Sequence, residues 1–409
     1  MKKNSHTCRS CQEPGLIVFL DLGNKPPSDR ILTESMLNHP EPFYPLEVAF
    51  CPNCSLVQIL ETVPPEDLFL DSYQYFSSYS PTILENAKEN ALSLIAERKL
   101  GADSLVLELA SNDGYLLKNY VEFGIPVLGI DPAPAQAKAA EKIGVPTLNE
   151  FFTVSMAENL RRTGQRADVI HGNNVLAHVA DTNGFVEGIR ILLKPGGVAV
   201  LEVPYVEDLI DKCEFDTIYH EHLCYFSVTA LDHLFRSHHL YLNRVKRIPI
   251  HGGSLRLFIE PHESVDDSVI QLMQMERERG VGSLDHYADF ANGVERLKQR
   301  LLSLLTELKS KAKTIAAYGA AAKGSTMVNY VNIGPEIIDF VVDRNIHKHG
   351  KYMPGKHLPV FATEKLIENQ PDYVLILAWN FADEIMRQQD EYRQRGGKFI
   401  IPVPEPTII

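Results

Sequence analysis

The chain predicts an α/β protein in three parts: a small N-terminal unit followed by two domains built on parallel sheets. Two series of short apolar strands, each followed by a turn and a helical pattern, carry that expectation. A change of pattern near His251-Gly252-Gly253 separates the two series, and two C-x-x-C pairs mark the N-terminal unit.

Residues 1–65 are turn-rich and hold Cys8, Cys11, Cys51 and Cys54, four of the six cysteines in the chain. Thiolates at this spacing on a tight turn grip one edge of a metal, and two such pairs complete a tetrahedral Zn²⁺ site. A metal closing the long stretch between the pairs would contribute on the order of 10 kcal/mol to folding of this unit. Four sulfur ligands leave no open coordination position, so the expected zinc is structural and the chemistry lies elsewhere.

At 409 residues, 44% hydrophobic and 23% charged, the chain is long enough for two or three full cores. A net charge of −13 and mixed charge around the cysteines argue against a nucleic-acid partner. No apolar run approaches the ~18 residues of a membrane span, and the start Met-Lys-Lys-Asn-Ser-His has no export pattern. With reduced cysteines, the expected setting is cytoplasmic.

Residues 66–248 open with an aromatic run, 72–80, and a helical stretch over 81–99. Strands are expected at 104–109, 127–130, 167–170 and 197–203. Residues 249–409 contain an amphipathic stretch, 285–313, and then strands near 314–318, 337–342, 373–377 and 398–402.

The turn after the first of these strands reads Glu108-Leu109-Ala110-Ser111-Asn112-Asp113-Gly114. At the carboxyl end of a parallel sheet, such a turn lets a ligand lie against the backbone. Gly114 alone is a weak fingerprint, and G-x-G-x-x-G is absent. The surroundings strengthen it. Asp131 ends the next strand, where a carboxylate accepts from both hydroxyls of a ribose, and Leu193-Lys194-Pro195-Gly196-Gly197 leads into a later one. This order resembles class I S-adenosylmethionine-dependent methyltransferases. The resemblance implies a donor site made by Glu108, Ala110, Asn112, Gly114 and Asp131. It puts Phe151 and Phe152 beside the adenine, and Asn173 and Asn174 near the methionine end. His178 either enters the reaction site or lies on a helix surface.

The densest chemistry is Tyr219-His220-Glu221-His222. An imidazole titrates near ~6.5 and can accept a proton at neutral pH. A tyrosine can donate to a developing enolate oxygen, and a glutamate can orient the imidazole. The set suits removal of a proton alpha to a carbonyl, leaving a carbon nucleophile for a methyl donor. A metal at this cluster is less favoured, because H-E-x-x-H is absent.

Taken together, these motifs resemble the zinc-containing nucleotide-sugar C-methyltransferases, which include deoxysugar C3-methyltransferases. The matching elements are C-R-S-C at Cys8, C-P-N-C at Cys51, E-L-A-S-N-D-G at Glu108, N-N-V-L-A-H at Asn173 and Y-H-E-H at Tyr219. H-G-G-S-L-R at His251 and Y-G-A-A-A-K-G at Tyr318 complete the set. The resemblance implies a zinc-binding domain, a central Rossmann-like methyltransferase domain and a C-terminal Rossmann-like domain. It implies S-adenosylmethionine as donor and a dTDP- or CDP-linked 4-keto-6-deoxy sugar as acceptor. By the same resemblance His222 is the base, assisted by Tyr219, Glu221, His178 and Tyr73.

In the second α/β series, the small residues after Tyr318 open a helix whose N-terminus, with Lys323, favours an anion such as diphosphate. Gly319, Lys323, Ser254 and Arg256 are the expected substrate-binding residues, and Asp343 repeats the position of a ribose-binding acid. Two Rossmann-like units also admit an NAD-dependent sugar oxidoreductase or epimerase. Against that stands the absent G-x-G-x-x-G. A zinc-organised binding module is disfavoured by acidity and by the Tyr-His-Glu-His cluster.

Overall fold

The computed structural model describes residues 6–64, 68 and 75–409. Tyr73, expected at the reaction site, lies outside the described residues. The described residues form three sheets of four, seven and six strands.

The N-terminal sheet begins with β1 (Ile17–Lys25), β2 (Tyr44–Phe50) and β3 (Val57–Ile59), paired antiparallel in that order. Its cysteine turns bring four sulfurs within 4.8 Å of one another, with Cys8 Sγ 3.5 Å from Cys54 Sγ and Cys11 Sγ 3.6 Å from Cys51 Sγ. Zn–S bonds of about 2.3 Å in a tetrahedron require sulfur separations of nearly this size, so the four residues fit Zn²⁺.

The central sheet contains β4 (Val106–Leu109), β5 (Val127–Ile130), β6 (Thr147–Leu148), β7 (Ala167–Asn173) and β8 (Leu193–Pro204). These five are parallel to one another. Helix α1 (Pro81–Arg98) precedes them, and α2 (Thr182–Leu192) runs between β7 and β8.

Two results depart from the expected boundaries. First, β9 (Cys224–Tyr225), just beyond the Tyr-His-Glu-His motif, is not in the central sheet. It pairs antiparallel with β3 and becomes the fourth strand of the N-terminal sheet. Second, β10 (Tyr241–Ile248) and β11 (Ser254–Glu260) form a hairpin that adds to β8, giving the order β10-β11-β8-β7-β4-β5-β6. The expected boundary at 248/249 therefore falls inside that hairpin. Arg256 consequently lies in the central sheet: its Nε is 2.7 Å from Glu202 Oε1, and Nη2 is 2.8 Å from Asn86 Oδ1. Both members of the ion pair are buried, and opposite charge across adjacent strands offsets their desolvation.

The amphipathic stretch forms α3 (Leu284–Ser310), whose buried face is Tyr287, Phe290, Val294, Leu297, Leu301, Leu305 and Leu308. Tyr287 packs on Phe19 and Phe50 of the N-terminal sheet. The third sheet then follows: β12 (Ile315–Tyr318), α4 (Ala322–Val331), β13 (Val341–Val342), β14 (Val360–Phe361), β15 (Tyr373–Ile376), β16 (Lys398–Ile401) and β17 (Thr407–Ile408). Strands β12 to β16 are parallel, and β17 is an antiparallel edge. Among the described residues no helix is long and apolar enough to cross a membrane.

Two stability predictions follow from these contacts. Arg256→Ala should cost about 3–5 kcal/mol, because it strands the Glu202 carboxylate in the sheet; urea unfolding measures this. Chelation of zinc, or Cys51→Ser with Cys54→Ser, should lower Tm and speed amide exchange in β9 before the central sheet opens.

Candidate active site

The turn expected to hold the donor follows β4. Ala110, Asn112 and Gly114 adopt φ of 57°, 48° and 78°, an alternation that keeps the backbone open to a ligand. Gly114 is also closely packed: a Cβ there would stand 3.2 Å from Ala140, Ile143 and Val145. Asp131, at the end of β5, accepts from the Asn112 and Ala133 amides at 2.8 and 2.9 Å. Glu108 is fully buried, and its carboxyl is pushed well above the usual range by desolvation and by Asp131. Neither Glu108 oxygen has a hydrogen-bond partner among the described residues, and the same holds for Asn173 Oδ1 and Asn174 Oδ1. Buried acceptors without partners around an open turn fit an adenosyl donor with its hydroxyls, ammonium and sulfonium.

Residues 75–78 of the aromatic run meet this turn. Asn112 Oδ1 accepts from the Ser77 amide at 2.9 Å, Asn112 Nδ2 donates to the Tyr75 carbonyl at 3.1 Å, and Asp113 Oδ2 accepts from the Ser78 amide at 3.2 Å. Of the expected adenine neighbours, Phe151 is 38% exposed. Phe152 instead packs edge-on against Phe185, in the space left by Gly188 of α2.

His178, Tyr219 and His222 are brought together. His178 and His222 have ring centroids 4.7 Å apart, and Tyr219 stacks on His222 at 4.1 Å. His222 Nδ1 is 2.8 Å from the Thr217 carbonyl, which can only accept, so Nδ1 carries the proton and Nε2 presents a lone pair. The Tyr219 hydroxyl lies 3.1 Å from that Nε2. The imidazole is therefore oriented by a backbone carbonyl and not by Glu221. Burial lowers the proton affinity of His222 well below the usual imidazole range, helped by His178, Lys323 and His251. Burial likewise lowers His178 to about 4 and His251 to about 4.

Glu221 points away from the imidazole, toward the loop after β1. Its Oε1 accepts from the Asp29 amide at 3.3 Å, and burial with the Asp29 charge pushes its carboxyl up to about 8.

The C-terminal domain closes the other side. Lys323 stands 4.5 Å over the Trp379 ring, and its Nζ is buried without a hydrogen-bond partner among the described residues. Desolvation lowers its pKa, opposed by the Asp216 and Glu214 carboxylates. Trp379 Nε1 donates to Asp216 Oδ2 at 2.7 Å, one residue before the carbonyl that holds His222. A cavity of ≈ 390 Å³ adjoins this wall, lined by Ser80, Thr82, Ile83, His251, Trp379, Arg387 and others.

The other expected substrate residues lie elsewhere. Gly319 packs on Ala378, where a Cβ would approach to 2.8 Å, and Ser254 Oγ is spent on the Ile250 carbonyl. Asp343 accepts from the Ala320 and Asn345 amides at 2.8 Å each, repeating the geometry of Asp131. Sequence reasoning missed Asp29, Asp216, Thr217 and Trp379, which have no spacing pattern of their own. His251 stood within a motif but was not singled out.

Comparison with known proteins follows the same division. A zinc binding domain profile matches residues 8–69, a methyltransferase domain profile 82–243, and a C-methyltransferase C-terminal domain profile 249–404. The chain is 34% identical to the C-methyltransferase NovU of Streptomyces niveus over 407 residues, covering 98% of this chain and 96% of that one. A ubiquinone biosynthesis O-methyltransferase of Cereibacter sphaeroides is 33% identical over 99 residues, 23% of this chain and 39% of that one. Among solved structures, the PH0226 protein of Pyrococcus horikoshii aligns over 46% of this chain and 95% of its own, with 13% identity and a TM-score of 0.37. With three matching profiles in order and a relative similar along nearly its whole length, the chain belongs to the zinc-containing, S-adenosylmethionine-dependent C-methyltransferase family.

Proposed function

We propose that this C-methyltransferase methylates a sugar carbon, C3, of a nucleotide-linked 4-keto-6-deoxyhexose. The observation that carries the reading is a neutral His222, its Nε2 lone pair fixed by the Thr217 carbonyl, in a cluster with His178, His251 and Lys323 of the C-terminal domain. A bound S-adenosylmethionine supplies an electrophilic methyl group. Glu108, Asp131, Asn173 and Asn174 would hold that donor at the carboxyl edge of the sheet.

His222 Nε2 takes the proton alpha to the 4-keto group, and Nδ1–H stays on the Thr217 carbonyl as the ring becomes cationic. That carbonyl stabilises the imidazolium as it forms. The Tyr219 hydroxyl, on the same nitrogen in the free enzyme, either yields its place to the substrate proton or relays it. His178, neutral for the same reason of burial, packs against the base and keeps water from it. Lys323, with Arg387 in the adjoining cavity, suits the diphosphate of the nucleotide carrier, dTDP or CDP. Zinc thiolates and the unpaired Cys213 and Cys224 fit a reducing, cytoplasmic setting.

The deciding assay mixes dTDP- and CDP-linked 4-keto-6-deoxy sugars with S-adenosylmethionine and reads the product by mass and NMR. A methyl on oxygen, or on no sugar carbon, would overturn the reading. His222→Asn should lower kcat by roughly 10²–10⁴ with donor binding kept. Because the folded-state pKa of His222 is lowered, its neutral form persists to more acid pH than free imidazole. The acid limb of kcat/KM assigned to it should accordingly lie below pH ~6.5. Lys323→Glu should weaken nucleotide-sugar binding while leaving donor affinity unchanged by calorimetry.

A further inference from the structure

The segment Pro26-Pro27-Ser28-Asp29 leaves β1 and enters the cleft between the Tyr-His-Glu-His motif and the C-terminal domain. Asp29 itself is exposed to solvent there. Its carboxylate accepts from the Ala322 amide, the first residue of α4, and Ser28 Oγ is 3.1 Å from Thr326 Oγ1 one turn on. The anion held at the amino terminus of α4 is thus the chain's own. On the other side, the Ser28 and Asp29 amides both donate to the Glu221 carboxyl. The Glu221 backbone carbonyl in turn accepts from His178.

We infer that Asp29 is a positioning residue of the reaction centre: clamped on α4, it fixes the two amides that hold Glu221 and sets a second carboxyl beside it. The inference rests on Glu221 belonging to that centre.

The Asp29 charge next to Glu221 disfavours a second ionised carboxyl, and burial of Glu221 acts in the same direction. Glu221 is consequently protonated in the free enzyme near neutrality. Its Oε2, buried without a hydrogen-bond partner among the described residues, is the atom able to donate to a substrate oxygen. The other groups facing the pair are Asp343 and Lys348 on Asp29, and Tyr75 and Tyr225. Lys348 opposes the shift and Asp343 adds to it.

Infrared difference titration of the ligand-free enzyme tests this without a substrate. The protonated-carboxyl stretch lost in Glu221→Gln identifies Glu221, and its midpoint is then followed in Asp29→Asn. Removing the Asp29 charge should move that midpoint down by about one pH unit. Asp29→Glu, which keeps the charge, should leave it near the wild-type value. Zinc content and donor affinity report folding in each variant. With a dTDP-linked 4-keto-6-deoxy sugar, Asp29→Asn should lower kcat about tenfold, and should add nothing in the Glu221→Gln background.

An unmoved midpoint in folded Asp29→Asn, with wild-type kcat, would reduce Asp29 to a helix cap and sink the inference alone. Glu221→Gln as active as wild type would remove Glu221 from the centre and the inference with it. The infrared midpoint needs no substrate, so it tests the inference even where the sugar proposed above is not the acceptor.

Discussion

The pairing of β3 with β9 is the constraint on which the rest of the site depends. β3 emerges directly from the second cysteine turn, and β9 begins two residues after His222. The Ile59 amide donates to the Leu223 carbonyl at 3.0 Å, and the Leu223 amide donates to the Ala177 carbonyl at 2.7 Å. One residue thereby ties the zinc-bound sheet to the turn that carries His178. The Tyr225 hydroxyl donates to the His222 carbonyl at 3.1 Å, bracing the loop from within. Ile218 and Leu223 anchor the loop in the core, and the strand pairing of β9 fixes its path between them. The zinc therefore acts at a distance from the chemistry, through backbone hydrogen bonds.

The electrostatics of the centre share one direction. His178, His222 and His251 lose proton affinity, and Lys323 does as well, while Glu108, Glu214, Asp216 and Glu221 gain it. Desolvation is the leading cause for each, because a deep cleft penalises whichever form is charged. The consequence is a cluster that favours the neutral imidazole at His222 and the protonated carboxyl at Glu221. A ligand bearing phosphate and sulfonium charge would enter a site whose own charges are largely suppressed.

The two α/β domains illustrate how one local rule yields different outcomes. Both place an aspartate at the end of the second strand, and both aspartates cap the neighbouring turn through two amides. In the central domain the turn stays open, with unpartnered buried acceptors around it. In the C-terminal domain the helix terminus is occupied by Asp29 and the glycine is packed on Ala378. The local geometry is repeated, but the neighbours decide whether it can take a ligand.

Most of the fold was legible in the sequence because its signals are local. Apolar runs, turn glycines and helical periodicity located β4, β5, β7, β12 and β15, and the C-x-x-C spacing located the metal ligands. The Tyr-His-Glu-His motif drew attention because polar groups in a row are costly to bury, and the structure packs Tyr219 and His222 against His178. Tertiary structure alone decided the rest. It sent β9 to the N-terminal sheet and β11 to the central one, so that Arg256 became a buried partner of Glu202 and left the expected substrate site. It chose the Thr217 carbonyl over Glu221 as the group that orients His222, and it brought Asp29 to Glu221 from 192 positions away. Spacing along the chain encodes only neighbours within a turn or a strand. Which strand edge is free, and which loop reaches a helix terminus, are settled when three sheets compete to bury their edges.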